Sequence, residues 1–223
     1  MNPNKDQMLL LTEGLAALHL ELSKAQTMKL LRYLELLAQW GKTYNLTSIL
    51  DPNEMVVRHL LDSLSIAPLL ESMFDDPVHC LDIGTGAGLP GIPLSILFPE
   101  GVFTLLDSNF KKIRFVQHAQ LELQLTNVQP VHQRIGKRSK LSESEPKYPL
   151  IVTRAFSSLK TIAEMCYPLL KSGGSILAMK GKMTEQEMEE LKKVSPFQSI
   201  SVEKIQVPYL NEERHVVVLG CTT

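Results

Sequence analysis

From residue 78 onward the chain alternates short β-rich runs with helical ones, and that alternation leaves few folds open. The runs "VHCLDIG", "VFTLLDS", "VQPVHQ", "PLIVTRAF" and "GSILAMKG" read as strands, with helices such as "NFKKIRFVQHAQLELQL" and "SSLKTIAEMCYPLLKS" between them. Strands joined through helices lie parallel in one sheet covered on both faces. The last two runs, "VEKIQVP" and "RHVVVLG", are separated only by "YLNEE", too short for a crossover, and predict an antiparallel hairpin. The expected class is α/β: a Rossmann-like, seven-stranded, mostly parallel sheet with an antiparallel terminal hairpin and an N-terminal helical extension. It differs from the six-stranded dinucleotide layout.

The division expected is a helical extension over 1–75 and a core over 76–223. In "MKLLRYLELLAQW", Leu30, Leu34 and Leu37 fall at i, i+4 and i+7, with Leu31 and Trp40 widening the stripe; Trp40 is expected to pack into the core. "DPNEMVVRHLLDSLSIAPLL" opens with Asp51 as cap, Pro52 in the first helical position and Glu54 placed for a capping box. Ala67-Pro68 should end or kink that helix. "GKRSKLSESEPKYP" reads as a polar loop.

With 44% hydrophobic residues in 223, the chain can bury a substantial core. Its apolar runs stop short of the ~20 residues a membrane span needs, and its start lacks a signal-peptide layout. A soluble, cytoplasmic monomer is expected. Cys80, Cys166 and Cys221 are far apart, without a CxxC pair, which argues against a disulfide framework or a metal site. His59, His132 and His215 have no metal or catalytic spacing and are expected to be structural. A net charge of −1 is not the basic footprint usual for nucleic-acid binding, although it leaves room for a local basic face.

The first strand runs directly into Gly84, Gly86 and Gly88, where the backbone must turn tightly and a ligand can approach without meeting a Cβ. A helix follows, whose first N–H groups are expected to face the ligand. Gly86, Gly88 and Gly91 satisfy the dinucleotide fingerprint, a weak match by itself. Asp82, two residues before the first glycine, would repel a pyrophosphate but suits an ammonium group. Residues 82–94 contain no Lys or Arg. S-adenosyl-L-methionine, with an amine and a sulfonium, fits such a site. Asp107 lies 19 residues beyond Gly88, where a doubly wound sheet offers a carboxylate to ribose hydroxyls; NAD would use it equally. The third strand ends near Ile135 and Gly136, beside the expected adenine.

The stretch after the fourth strand, "VTRAFSSL", has no amine-methylation motif of the NPPY kind, and no cysteine sits in a Pro-Cys pair. This is compatible with an acceptor that already has a free lone pair, such as guanine N7, for which alignment supplies most of the rate gain. Arg154, at that strand's end, is the candidate catalytic residue. It could hold RNA phosphate, the guanine edge or the cofactor's carboxylate, or pair with a neighbouring acid. Lys180 and Lys182, with Lys111, Lys112, Arg114, Lys137 and Arg138, could form a basic rim; Lys180, Lys182 and Arg138 are the candidate RNA contacts. An NAD-dependent oxidoreductase and a non-enzymatic ribosome-assembly protein remain alternatives.

The segments "YNLTS", "DPNEMVVRHLLDS", "DIGTGAGLPGIPLSI", "FTLLDS", "TRAFSSL", "LAMKG", "QVP" and "ERHVVV", in this order, resemble the methyltransferase G family of bacterial 16S ribosomal RNA, also called glucose-inhibited division protein B. The resemblance runs from about Trp40 to near the C-terminus. It implies an S-adenosylmethionine-dependent enzyme methylating guanine N7 in 16S ribosomal RNA of the small ribosomal subunit. It also implies cofactor contacts at Gly84, Leu89, Ile135, Gly136 and Arg154, with Asp107 at the ribose. Gly136 departs from the glutamate frequent in similar members, so only a backbone contact to adenine would survive there.

Overall fold

The computed structural model describes residues 5–73, 77, 79–135, 147–154, 157–194, 197 and 199–221. Helices α1 (Lys5–Ala17) and α2 (Lys24–Tyr44) come first. Helix α3 (Pro52–Met55) continues through a π-helical stretch, Val56–Leu61, into α4 (Asp62–Leu64), and α5 is Ala67–Met73. The remaining order is β1 (His79–Ile83), α6 (Gly91–Leu97), β2 (Val102–Asp107), α7 (Phe110–Glu122), β3 (Val128–His132), β4 (Tyr148–Arg154), α8 (Leu159–Cys166), β5 (Leu170–Lys180), α9 (Glu185–Val194), β6 (Ser199–Ile205) and β7 (Arg214–Gly220).

The seven strands form one sheet in the order β3-β2-β1-β4-β5-β7-β6. Strands β1 to β5 pair in parallel, while β7 runs antiparallel to both β5 and β6. The expected fold class is therefore borne out. The strand order reverses between β1 and β4, and at such a point an open α/β sheet leaves a crevice at its carboxyl edge.

Alternation along the strands divides the core between the two faces. On one face Leu30, Leu34 and Leu37 of α2, Leu60 and Leu61 of the π-helical stretch, Ile92 of α6 and Phe115 of α7 enclose Cys80, Phe103 and Leu105. On the other, Leu159, Ile162 and Cys166 of α8 cover Leu81, Ile83, Ile151 and Ile176. The N-terminal helices thus share their core with the sheet. Trp40 packs against it, half-buried, with its ring centroid 5.8 Å from Phe115 and 5.0 Å from His118.

Several element ends differ from expectation. Asp51 caps as expected, its Oδ1 accepting from Asn53 N and Glu54 N at 3.0 and 2.9 Å. The reciprocal capping box forms instead at Ser23 and Gln26. The break expected at Ala67-Pro68 is present: α4 ends at Leu64 and Pro68 is the second residue of the next helix, α5, where its missing N–H loses no bond. Helix α8 stops at Cys166, Pro168 sits in a 3-10 turn, and β5 begins at Leu170, so "YPLLKS" does not continue the helix. Strand β6 starts at Ser199, three residues before the predicted run. Among the described residues no helix is long and apolar enough to cross a membrane.

Candidate active site

The turn after β1 is fixed from both sides. Gly84, Gly86 and Gly88 have φ of 69°, 60° and 90°, where a side chain is strained. A Cβ on Gly88 would also overlap the Ile92 side chain. Gly84 N and Thr85 N donate to Leu106 O at 2.8 and 3.1 Å, tying the turn to β2.

Asp82 lies beneath this turn. It is 1% exposed, and its Oδ2 accepts from Thr85 Oγ1 at 2.6 Å and from Gly91 N at 2.9 Å. This corrects two expectations. The carboxylate is a peg under the loop with no face on solvent, and the first N–H of α6 is taken by it instead of facing a ligand. A pyrophosphate would therefore meet an acid where it needs a free helix-start N–H. Burial pushes the Asp82 carboxyl up to about 6, so it is mostly ionised at neutral pH. Among the described residues its Oδ1 is buried without a hydrogen-bond partner.

Asp107 ends β2. Its Oδ2 accepts from Gly86 N at 3.0 Å and its Oδ1 from Asn109 N at 2.8 Å, with Lys112 Nζ 3.8 Å away. Each oxygen keeps a lone pair for another donor. Asp107 and Gly84 line a cavity of about 240 Å³ with Ile83, Leu106, Ile135 and Met165 as apolar wall. Gly86, Gly88 and the buried Leu89 form the turn beside it. Gly136, Lys137 and Arg138 lie outside the described residues.

A side chain from the N-terminal segment completes the loop's support. Tyr33 of α2 is fully buried and its hydroxyl donates to Ala87 O at 2.8 Å. Tyr33 falls on the apolar stripe of α2, and a hydroxyl there must find a partner, which is the signal that sequence reasoning passed over. Tyr33→Phe is expected to lower stability by about 1–2 kcal/mol, since it leaves a buried carbonyl unpaired. It should also weaken ligand binding at the turn; urea denaturation and calorimetry on the same variant check both.

Arg154 lines a second cavity, of about 450 Å³, over the ends of β4 and β5 and the start of β7. Its Nη1 donates to Asp62 Oδ2 at 2.8 Å and to Arg58 O at 3.0 Å, so the acid pairing left open at the sequence level is what the structure contains. Asp62 Oδ1 accepts from Arg214 Nε at 2.8 Å. Glu212 in turn accepts from Arg214 Nη2 at 3.2 Å and from Arg58 Nη2 at 2.6 Å. The result is a ladder of alternating charge, Arg154–Asp62–Arg214–Glu212–Arg58. Asp62, Arg214 and Arg58 were given no role from sequence, although Arg58 and Asp62 stand four residues apart on one helical face.

The basic rim is only partly present. Lys180 Nζ is 2.8 Å from Glu187 and 3.2 Å from Ser157 O, a structural pairing. Lys182, Lys111 and Arg114 are exposed. His132 and His215 are satisfied, by Ser108 O and Gly181 O. His59 is only half satisfied: Nε2 lies 2.9 Å from Thr47 Oγ1, and Nδ1 is buried with no hydrogen bond among the described residues. The cysteines are unpaired, and among the described residues no group of His, Cys, Asp or Glu could hold a metal.

Burial, reinforced by Arg154, lowers His59 to about 4, which sets up a pH test against Asp82. Between about pH 4 and 6.5 the unfolded chain binds the His59 proton and the folded one does not, so this group makes stability rise with pH. Between about pH 3.8 and 6 the folded chain holds the Asp82 proton instead, and stability falls with pH. The two contributions, each on the order of 3 kcal/mol, nearly cancel in the wild type. His59→Gln should expose the falling slope and Asp82→Asn the rising one, in urea denaturation from pH 4 to 7.

Comparison with known proteins adds a family to this geometry. The family model for rRNA small subunit methyltransferase G matches residues 26–217. The chain is 44% identical over 216 residues to ribosomal RNA small subunit methyltransferase G of Escherichia coli O1:K1 / APEC, and equally to that of Shigella boydii serotype 18, covering 97% of each chain. Among solved structures it is similar to the plantazolicin methyltransferase BpumL in complex with SAH, with a TM-score of 0.58 at 16% identity over 87% of this chain and 99% of that one. It is also similar to the Thermus thermophilus 16S rRNA N2 G1207 methyltransferase RsmC in complex with AdoMet and guanosine. There the TM-score is 0.54 at 17% identity, over 72% and 43% of the two chains. At such identities the structural likenesses show the fold.

Proposed function

Because this chain belongs to the rRNA small subunit methyltransferase G family, we propose that it transfers a methyl group from S-adenosylmethionine to N7 of a guanine in 16S ribosomal RNA, acting as a monomer on the small ribosomal subunit in the cytoplasm. The observation that carries the cofactor reading is the glycine turn bracketed by two carboxylates, Asp82 beneath it and Asp107 beside it. A site so acidic favours a cationic nucleoside over a dinucleotide's phosphates.

The residues present suit that group. Asp107 retains lone pairs for both ribose hydroxyls, and Ile83, Leu106, Ile135 and Met165 offer an apolar slot to a purine. The unpartnered Asp82 Oδ1 is a buried acceptor beneath the turn, within reach of an ammonium group only through an intervening water. Arg154 stands past the switch point, where the methionine carboxylate or the acceptor base would come. When bound, the cofactor would supply a methyl group on a sulfonium sulfur, and guanine N7 already carries the lone pair such an acceptor needs. No general base is then required, and the chain's task is to align two ligands and exclude water.

Small subunits from cells lacking this protein, incubated with it and methyl-labelled S-adenosylmethionine, should acquire label in 16S RNA. Normal cofactor binding without label transfer would instead favour the assembly-factor reading.

A further inference from the structure

Helices α2 and α7 lie side by side and leave a cluster of rings at the surface. Arg32 of α2 pairs with Glu122 at the end of α7, and Trp40, about two turns further along α2, meets Phe115 and His118. The two helices therefore run in opposite directions, and the end of α2 comes up towards the first turns of α7. Trp40 is the centre of the cluster: Tyr44 lies 5.2 Å from it, His118 is stacked on it at 5.0 Å, and the fully buried Phe115 supports it at 5.8 Å. Core packing accounts for Phe115 and Trp40. It does not account for Tyr44, which is 42% exposed and held against the indole from outside.

Lys111, Arg114 and His118 fall at i, i+3 and i+7 of α7 and share one stripe, so two cations continue the ring cluster along the helix. Both cations are exposed, and neither pairs with an acid among the described residues. The one acid of α2, Glu35, and the one acid of α7, Glu122, are both held by Arg32. In a chain of net charge −1 the stripe is cationic without compensation. Its upper end is tied to the acid beside the glycine turn: Lys111 N donates to Asn109 Oδ1 at 2.9 Å, and Asn109 N to Asp107 Oδ1 at 2.8 Å. From Lys111 to His118 the helix rises about 10 Å, the length of about three stacked nucleotides.

We propose that this face of α2 and α7 binds a single-stranded segment of RNA flanking the modified nucleotide, with a base stacked on Tyr44 and phosphates on Lys111 and Arg114. The inference rests on the methyl-transfer reading above and adds a docking surface outside both cavities. Exposed rings bordered by cations hold single strands with little regard to sequence, because every base has a π-face and the backbone follows the charge. A duplex would find the cations but keep its bases from Tyr44. An apolar protein surface would bury Lys111 and Arg114 without an acid to meet them, which is costly. Contacts of this kind set where the strand lies relative to the turn that Asp107 flanks and leave base selection to the site itself. The end of α2 thereby gives the N-terminal segment a part in holding the substrate, besides the support that Tyr33 lends the loop.

The probe is a fluorescently labelled oligoadenylate of about twelve nucleotides, read beside the KM for small subunits lacking the methyl group. Tyr44→Ala should weaken oligoadenylate binding roughly tenfold, the scale of one lost stack, and leave its salt dependence as in wild type. Tyr44→Phe keeps the ring and should bind as wild type does. The double variant Lys111→Ala/Arg114→Ala should flatten the slope of log affinity against log salt by about 1.4, the share of two phosphates on a single strand. KM for the subunit should rise in Tyr44→Ala and in the double variant, while calorimetric S-adenosylmethionine affinity stays at the wild-type value. Wild-type oligoadenylate affinity in both of these variants would overturn the proposal. So would a rise in subunit KM without loss of oligoadenylate binding, which would give the face to a protein of the subunit. If wild type binds oligoadenylate in the expected pattern yet transfers no methyl group, the RNA face stands and the methyl-transfer reading falls; if it methylates guanine while the variants bind normally, only the face is lost.

Discussion

Asp107→Ala is expected to weaken S-adenosylmethionine binding by on the order of 1.5–3 kcal/mol, roughly 10- to 150-fold in calorimetric Kd. Two losses combine. The carboxylate is the acceptor offered to the ribose hydroxyls, and it also holds Gly86 N and Asn109 N, so its removal frees the glycine turn at the point where the ligand must lie. Asp107→Asn keeps one carbonyl oxygen of the right reach and should fall between wild type and the alanine variant. NADH serves as the control ligand and should give no heat with any of the three. An unchanged affinity in Asp107→Ala would place the ribose elsewhere.

Asp62→Ala is expected to be the most destabilising of the substitutions considered. It leaves Arg154 and Arg214 side by side with no acid between them. Removing one partner of a buried pair costs about 3–5 kcal/mol, and because the two arginines keep 17% and 21% side-chain exposure the expected loss is about 3 kcal/mol. Urea denaturation reads it directly. Asp62→Asn retains an acceptor for one guanidinium and should recover part of the loss. Wild-type stability in Asp62→Ala would mean that the ladder contributes nothing to the fold.

The architecture was legible because each of its signals is local in the chain. The strand–helix alternation dictated a parallel sheet, "YLNEE" dictated the closing hairpin, and three glycines after "CLDI" marked the turn that Asp107 flanks. Element ends were less so: the break at Ala67-Pro68 was legible, whereas the stop of α8 at Cys166, ahead of Pro168, was not, because whether a helix runs on to a proline depends on where the chain next finds packing. The orientation of Asp82 was hidden for a related reason. Its position beside the glycines is written in the sequence, but its two donors, Thr85 and Gly91, take it only once the loop has folded back over the strand.

The second cavity was the least accessible to sequence reasoning. Arg58 and Asp62 are separated from Arg154 by more than 90 residues and from Arg214 by more than 150. Only the sheet, which sets Lys180 opposite His215 and Arg154 opposite Met179, brings them to one edge. Tyr33 is the same case in milder form: the stripe announces its burial, and nothing local announces Ala87 as its partner.

The most direct test of the central claim is the identity of the nucleoside that carries the label. After reaction with methyl-labelled S-adenosylmethionine, 16S RNA from subunits lacking the modification should be digested to nucleosides and resolved by chromatography and mass spectrometry. The account predicts label in 7-methylguanosine at a single position of that RNA, and roughly 10- to 150-fold slower labelling by Asp107→Ala at a cofactor concentration below the wild-type Kd. Label in any other nucleoside, or in the 23S RNA of a mixed substrate, would contradict it.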